Sequence, residues 1–181
     1  MILNIPIMLT LLRIALIPVF ILVFYMPWHW APPLSALIFT LAGITDWADG
    51  YLARRWDQTS RFGAFLDPVA DKLMVTSALV MLVEQYTSPW LTIPAIVIIG
   101  REITVSALRE WMAEVGERRK VAVAFVGKLK TATQMAALVF LLYQWPLFGI
   151  DMRQLGLILI YVAAFFTLVS MFKYLSVAFR S

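Results

Sequence analysis

The amino-acid sequence predicts an all-α integral membrane protein with six transmembrane helices, forming a single domain over residues 1–181. Of its 181 residues, 62% are hydrophobic and only 14% are charged, whereas a soluble globular domain is about 45–50% apolar and about 25% charged. Long stretches carry no charged residue, and Pro27, Pro32 and Pro33 divide the longest of them, 14–45, around a tryptophan-rich turn. These observations exclude an ordinary soluble globule and a disordered chain.

Six segments are apolar enough to be interpreted as transmembrane helices of about 20 residues each. The first contains one charged residue, Arg13, and ends at the prolines of the turn. The second and third carry aspartates at one end, and the last three contain the uncharged stretches 85–100, 131–150 and 154–172. The predicted spans are 6–25, 34–55, 68–85, 90–114, 126–143 and 155–174.

Basic residues predict the orientation of these spans. With six spans, both termini lie on the same side, which then holds every lysine and arginine except Arg153. The positive-inside rule makes that side cytoplasmic. Basic segments beside anionic lipid headgroups explain the net charge of +4 without a nucleic-acid partner. The opposite side has tryptophan next to proline at 27–30, 89–90 and 145–146, as in an aromatic belt.

The acidic residues point to a metal site. The chain has no cysteine and one histidine, which excludes thiolate chemistry and a histidine metal cluster. Asp46 and Asp49 share one helical face, and so do Asp67 and Asp71. If spans two and three are antiparallel neighbours, the four carboxylates converge. Carboxylates without histidine or thiolate favour Mg²⁺ or Mn²⁺, and a pair of such ions suits in-line phosphoryl displacement.

Three other interpretations of these aspartates remain open at this point. Asp46 and Asp49 could form a structural salt-bridge network with Arg54, Arg55 or Lys72. Asp67 could cap a helix that begins at Pro68. Intramembrane carboxylates also mark ion pathways, so a divalent-cation transporter is a further alternative, although its acids are expected near mid-membrane.

Small residues accompany the aspartates. Gly50 and Ala53 lie on the helical side of Asp46 and Asp49, and Gly63 falls in the predicted connection between spans two and three. Small side chains permit close approach of a ligand or of another helix. Together with Arg54, their interleaving with the aspartates favours a ligand site.

The order of these residues resembles the signature of the CDP-alcohol phosphotransferase family. The segment is Asp46-x2-Asp49-Gly50-x2-Ala53-Arg54-x8-Gly63-x3-Asp67-x3-Asp71. The segments Gly100-Arg101-Glu102 and Gly127-Lys128-x-Lys130-Thr131 are similar to those of the bacterial phosphatidylglycerophosphate synthases in that family. Ile7 departs from the pattern, because many relatives have asparagine there, and the resemblance assigns no role to the first helix.

The resemblance implies transfer of the phosphatidyl group of CDP-diacylglycerol to an alcohol, with release of CMP. It implies that two Mg²⁺ or Mn²⁺ ions are held by Asp46, Asp49, Asp67 and Asp71, with Asp71 also the general base. It implies that the nucleotide is bound by Gly50, Ala53, Arg54, Ser60 and Gly63. It further implies a homodimer in the bacterial inner membrane, with both termini and the active site cytoplasmic.

The resemblance to the phosphatidylglycerophosphate synthases implies that the acceptor is glycerol 3-phosphate. Arg101, Arg109 and Lys128 lie at the cytoplasmic ends of spans four and five and could bind its phosphate. They could instead be positive-inside residues that pair with Glu102, Glu110 or Glu114. Serine, inositol phosphate and phosphatidylglycerol are the alternative acceptors within the family.

Overall fold

The protein is a bundle of six α-helices in a computed structural model that describes residues 5–55, 61–114 and 125–178. Within those ranges it contains no β-strand. The helices are α1 Ile5–Phe24, α2 Ala31–Arg55, α3 Arg61–Tyr86, α4 Pro89–Glu114, α5 Phe125–Tyr143 and α6 Met152–Ala178. The six predicted helices are therefore confirmed as helices, and the largest difference is the start of α3.

Helix α3 begins seven residues earlier than the sequence predicts. It includes Gly63, which was expected in the connection, and it places Asp67 in its second turn. The interpretation of Asp67 as a helix cap is therefore wrong. Pro68 lies inside the helix and has no N–H to donate to the carbonyl four residues earlier. Because the helix begins before Asp67, the Asp67 side chain does not cap it and is available to a neighbouring helix.

Length and composition make the chain a membrane protein. Among the described helices, three are long and apolar enough to cross a bilayer, over Ile7–Phe24, Pro89–Leu108 and Met152–Phe172. Ala31–Asp46 and Leu129–Tyr143 are shorter apolar helices. Large apolar side chains are widely exposed on the outside of the bundle, a pattern that soluble monomers avoid. That the other three helices also cross the bilayer, for six crossings in total, stays a prediction.

The core lies between the helices and is built from aliphatic and aromatic side chains, including Phe20, Phe39, Leu79, Leu82, Leu138 and Ile160. The most extensive packing joins α5 to α6 and α1 to α2. At Gly156 of α6, an added Cβ would lie 3.0 Å from the backbone nitrogen of Leu141. Glycine is required there because the two helices approach so closely.

Helix α1 links α2 to α3. It packs against both of them, whereas α2 and α3 touch each other only slightly. Convergence of the aspartates was predicted on the condition that α2 and α3 are neighbours. In the structure, side chains of α1 contact an aspartate of each of these helices.

Stacked rings close one end of the bundle, here called the aromatic end and defined by His29, Trp30, Tyr143 and Trp145. The Trp145 ring lies 4.8 Å from that of His29, 5.1 Å from that of Trp30 and 6.1 Å from that of Tyr143, measured between centroids. These contacts join the α1–α2 connection to the α5–α6 connection. They fit the predicted aromatic belt.

Candidate active site

Asp46, in the second half of α2, is held by a buried arginine of α1. Arg13 donates a hydrogen bond from Nη1 to Asp46 Oδ1 at 2.5 Å, and the Arg13 side chain is only 1% exposed. Arg13 is the one charged residue of α1, which is otherwise almost entirely apolar. Burying an arginine is costly unless a carboxylate compensates its charge, so this ion pair fixes how α1 packs on α2.

Asp67, in α3, is held by the same face of α1. Thr10 is fully buried and donates from its hydroxyl to Asp67 Oδ1 at 2.6 Å. Thr10 and Arg13 are three residues apart and therefore adjacent on the helix surface. One face of α1 thus binds an aspartate of α2 and an aspartate of α3, and this is a role for the first helix that the sequence analysis did not assign.

A cavity of about 190 Å³ opens between α3, α4 and α5. Its charged lining residues are Asp71 and Lys72 of α3, Arg101 and Glu102 of α4, and Lys130 of α5. The cavity therefore places the predicted base and a predicted acceptor-binding arginine on one surface.

Glu102 is the centre of an ionic network in this cavity. Its Oε1 accepts a hydrogen bond from Arg101 Nη1 at 2.9 Å and another from Lys130 Nζ. Arg101 Nη2 also donates to Ser170 Oγ of α6 at 3.2 Å. Lys130 is 5% exposed. Two cations share one carboxylate, so the three groups carry a net charge of +1 beside the cavity and favour an anion there.

Lys72 joins α3 to α4 beside the same cavity. Its Nζ donates to Ser106 Oγ, and that hydroxyl donates in turn to the backbone carbonyl of Glu102 at 2.7 Å. The contact crosses from α3 to α4. It therefore holds the helix that carries Asp71 against the helix that carries Arg101.

The structure brings together part of the predicted site. Asp46 and Asp67 meet through α1, and Asp71 and Arg101 line one cavity. Pairing of Arg101 with Glu102, the alternative considered for it, is confirmed as a contact. The alternative network of Asp46 with Arg54, Arg55 or Lys72 differs from the ion pair that the described side chains form, which is with Arg13.

Several of the predicted site residues have side chains that the structure does not describe. The backbones of Asp49, Gly50, Ala53, Arg54, Arg109 and Lys128 are helical, but their side chains lie outside the described part. Ser60 lies outside the described residues altogether. Among the side chains that are described, no three acidic or histidine groups come close enough to hold a metal ion. The two-metal site stays a prediction.

The site includes four residues that were not predicted from the sequence, Thr10, Arg13, Glu102 and Lys130. A signal existed for Arg13, because a lone ionisable residue in an apolar span marks a functional position by default. Glu102 and Lys130 each stand in a helix next to long uncharged stretches. Their pairing across 28 positions is a tertiary contact that no local spacing reveals.

The chain is similar over most of its length to known proteins. A model of the CDP-alcohol phosphatidyltransferase family matches residues 3–169. Proteins named CDP-diacylglycerol–glycerol-3-phosphate 3-phosphatidyltransferase from Salmonella typhimurium and Pectobacterium atrosepticum are 58% and 57% identical to this chain, covering 97% of it and 94% of each relative. A protein of the same name from Yersinia pestis is 56% identical, covering 97% of this chain and 95% of its own length. The chain therefore belongs to the CDP-alcohol phosphatidyltransferase family.

Proposed function

We propose that this protein transfers the phosphatidyl group of CDP-diacylglycerol to sn-glycerol 3-phosphate, producing phosphatidylglycerophosphate and CMP. The observation that carries the proposal is the cavity in which Asp71 lies beside the Arg101–Glu102–Lys130 network. That surface combines a carboxylate base with cations that suit a phosphorylated alcohol. The names of the similar proteins support the same reaction.

The residues fit a divalent-metal centre by the chemistry of their donors. Asp46, Asp49, Asp67 and Asp71 would supply carboxylate oxygens, which Mg²⁺ and Mn²⁺ prefer. Asp46 and Asp67 each contact α1 through Oδ1, and metal-ligating carboxylates are commonly oriented by such hydrogen bonds. Two bound ions would supply charge neutralisation at the pyrophosphate of the donor.

The reaction itself is a displacement at phosphorus. The acceptor hydroxyl oxygen forms a bond to the phosphorus that bears diacylglycerol, and the bond from that phosphorus to the CMP oxygen breaks. The hydroxyl proton passes to the Asp71 carboxylate, which is the proposed general base. Arg54 would contact the donor phosphates, while Gly50, Ala53, Ser60 and Gly63 would leave room for the nucleotide.

Binding of the acceptor phosphate is assigned to the cationic side of the cavity. Arg101, Arg109 and Lys128 are the proposed contacts, and the structure adds Lys130, whose ammonium lies on the same carboxylate as Arg101. Glu102 would keep both cations in place before the acceptor arrives. A fixed arginine and lysine bind phosphate with little reorganisation.

The proposed location follows from the donor, whose acyl chains remain in the bilayer while its nucleotide faces water. We place one catalytic domain over residues 1–181 in the bacterial inner membrane, with both termini and the active site on the cytoplasmic side, as the distribution of basic residues favours. A homodimer stays a prediction from the family.

An acceptor panel tests the proposal. Purified protein is given CDP-diacylglycerol and Mg²⁺, and CMP release is measured with glycerol 3-phosphate, serine, inositol phosphate or phosphatidylglycerol. Of the four acceptors, we expect only glycerol 3-phosphate to give turnover. This turnover should be lost in excess EDTA and should return when Mg²⁺ or Mn²⁺ is added. Preference for another acceptor would overturn the assigned reaction, and full turnover in EDTA would overturn the metal site.

A further inference from the structure

The side chain of Gln134 lies in the wall of the cavity that contains Asp71. It belongs to α5 and is only 6% exposed. Within the ranges that the structure describes, its Oε1 atom has no hydrogen-bond partner. Buried side-chain amides almost always have partners in folded proteins. An unpartnered amide oxygen at a cavity surface is therefore a candidate ligand contact.

The cavity is charged on one side and uncharged on the other. On α5, Gln134 lies one turn beyond Lys130, a rise of about 6 Å. On α3, Val75 lies one turn beyond Asp71, and on α4, Ile98 lies one turn from Glu102, at the same cavity. Each helix thus pairs a charged group with an uncharged one, and Gln134 supplies an amide on the uncharged side.

We propose that Gln134 binds the non-reacting hydroxyl group of the acceptor. This inference rests on the proposed function, since it takes the acceptor to be a small phosphorylated polyol. The phosphate would lie towards Arg101 and Lys130, and the carbon chain would extend towards Gln134. In glycerol 3-phosphate one terminal hydroxyl loses its proton to Asp71, and the middle hydroxyl remains to donate to the amide oxygen.

The contact would give selectivity for a hydroxylated acceptor. A buried amide that pairs with a substrate hydroxyl is left unpaired by an analogue that lacks this group, so such an analogue binds less well. Arg101 and Lys130 recognise only the phosphate and make no such distinction. Gln134 would therefore be the group that distinguishes glycerol 3-phosphate from a phosphorylated alcohol without the middle hydroxyl.

The test compares two acceptors in two proteins. The acceptors are glycerol 3-phosphate and 3-hydroxypropyl phosphate, which keeps the reacting hydroxyl and the phosphate but lacks the middle hydroxyl. In the wild-type enzyme we expect a KM about 3- to 10-fold higher for the analogue, the usual effect of one neutral hydrogen bond. In Gln134→Met the KM of glycerol 3-phosphate should rise to that of the analogue, with the KM of CDP-diacylglycerol unchanged.

The matched control is Gln85→Met, the same substitution at the opposite end of the bundle, where Gln85 is exposed and accepts a hydrogen bond from Gln144. It should leave the discrimination intact. Equal use of both acceptors by the wild-type enzyme would overturn the inference without any variant, and so would full discrimination in Gln134→Met. Absence of CMP release with glycerol 3-phosphate in the wild-type enzyme would instead overturn the proposed function.

Discussion

The two ends of the bundle handle polar groups in opposite ways. At the end that carries the cavity, here called the polar end and defined by Arg13, Asp46, Asp67, Asp71, Arg101, Glu102 and Lys130, cations are buried among helices. Arg13 is 1% exposed and Lys130 is 5% exposed. At the aromatic end, the polar pairs Tyr25–Glu84 and Gln85–Gln144 are exposed, and stacked rings make the contacts between connections.

This difference shows at which end of the bundle the burial of charged groups reduces the stability of the fold. An exposed polar pair contributes little to stability and is easily replaced. Buried ions are expensive, and replacing them by apolar residues is often neutral or stabilising. Their presence at the polar end is therefore better explained by a function there than by the needs of folding. The same substitution made at the two ends should then change activity at one and leave it alone at the other.

The largest expected effect comes from Asp71→Asn at the polar end. This change keeps the size of the side chain but removes the carboxylate charge, and an amide oxygen is too weak a base to take the proton. We expect kcat to fall by about 10²- to 10⁴-fold, with binding of CDP-diacylglycerol largely retained at saturating Mg²⁺. Steady-state CMP release and a donor-binding assay measure the two effects separately.

The control is Asp151→Asn beyond the aromatic end. Asp151 Oδ1 accepts a hydrogen bond from the backbone N–H of Arg153 at 2.9 Å, so it caps α6. Asparagine is an equally good cap, and this variant should keep wild-type kinetics. Retention of more than about a tenth of kcat by Asp71→Asn would contradict its role as general base.

A smaller effect is expected from Glu102→Gln, because Glu102 acts through other residues. The substitution removes the charge that holds Arg101 and Lys130, and the KM for glycerol 3-phosphate should rise about 10-fold. The KM for CDP-diacylglycerol should not change, and Glu102→Asp should restore part of the loss. Glu84→Gln makes the same change at the aromatic end and should have no kinetic effect. If Glu102→Gln only lowered the unfolding temperature, its role would be structural.

Most of the helices could be predicted from the sequence, because uncharged stretches and prolines mark where apolar helices begin and end. The start of α3 could not, since proline is common at the first position of a helix and Pro68 here lies within one. The aspartate signature predicts which residues form the site, and that assignment stays a prediction. It could not reveal that α1 connects them, because Thr10 is 57 positions from Asp67 and their contact depends on helix packing.

The smallest effect should follow from Trp145→Leu, which tests whether the aromatic end serves stability alone. Trp145 stacks with His29, Trp30 and Tyr143, and aromatic pairs contribute about 0.5–1.5 kcal/mol each beyond burial. Loss of the three contacts together, about 1.5–4.5 kcal/mol, should lower the unfolding temperature by about 3–18 °C for a chain of this size, with kcat and both KM values unchanged. Trp90→Leu is the matched control, because Trp90 is 70% exposed and makes no ring contact with any side chain the structure describes. A Trp145→Leu variant with wild-type stability and reduced kcat would break the comparison, since the aromatic end would then contribute to catalysis at the far side of the bundle.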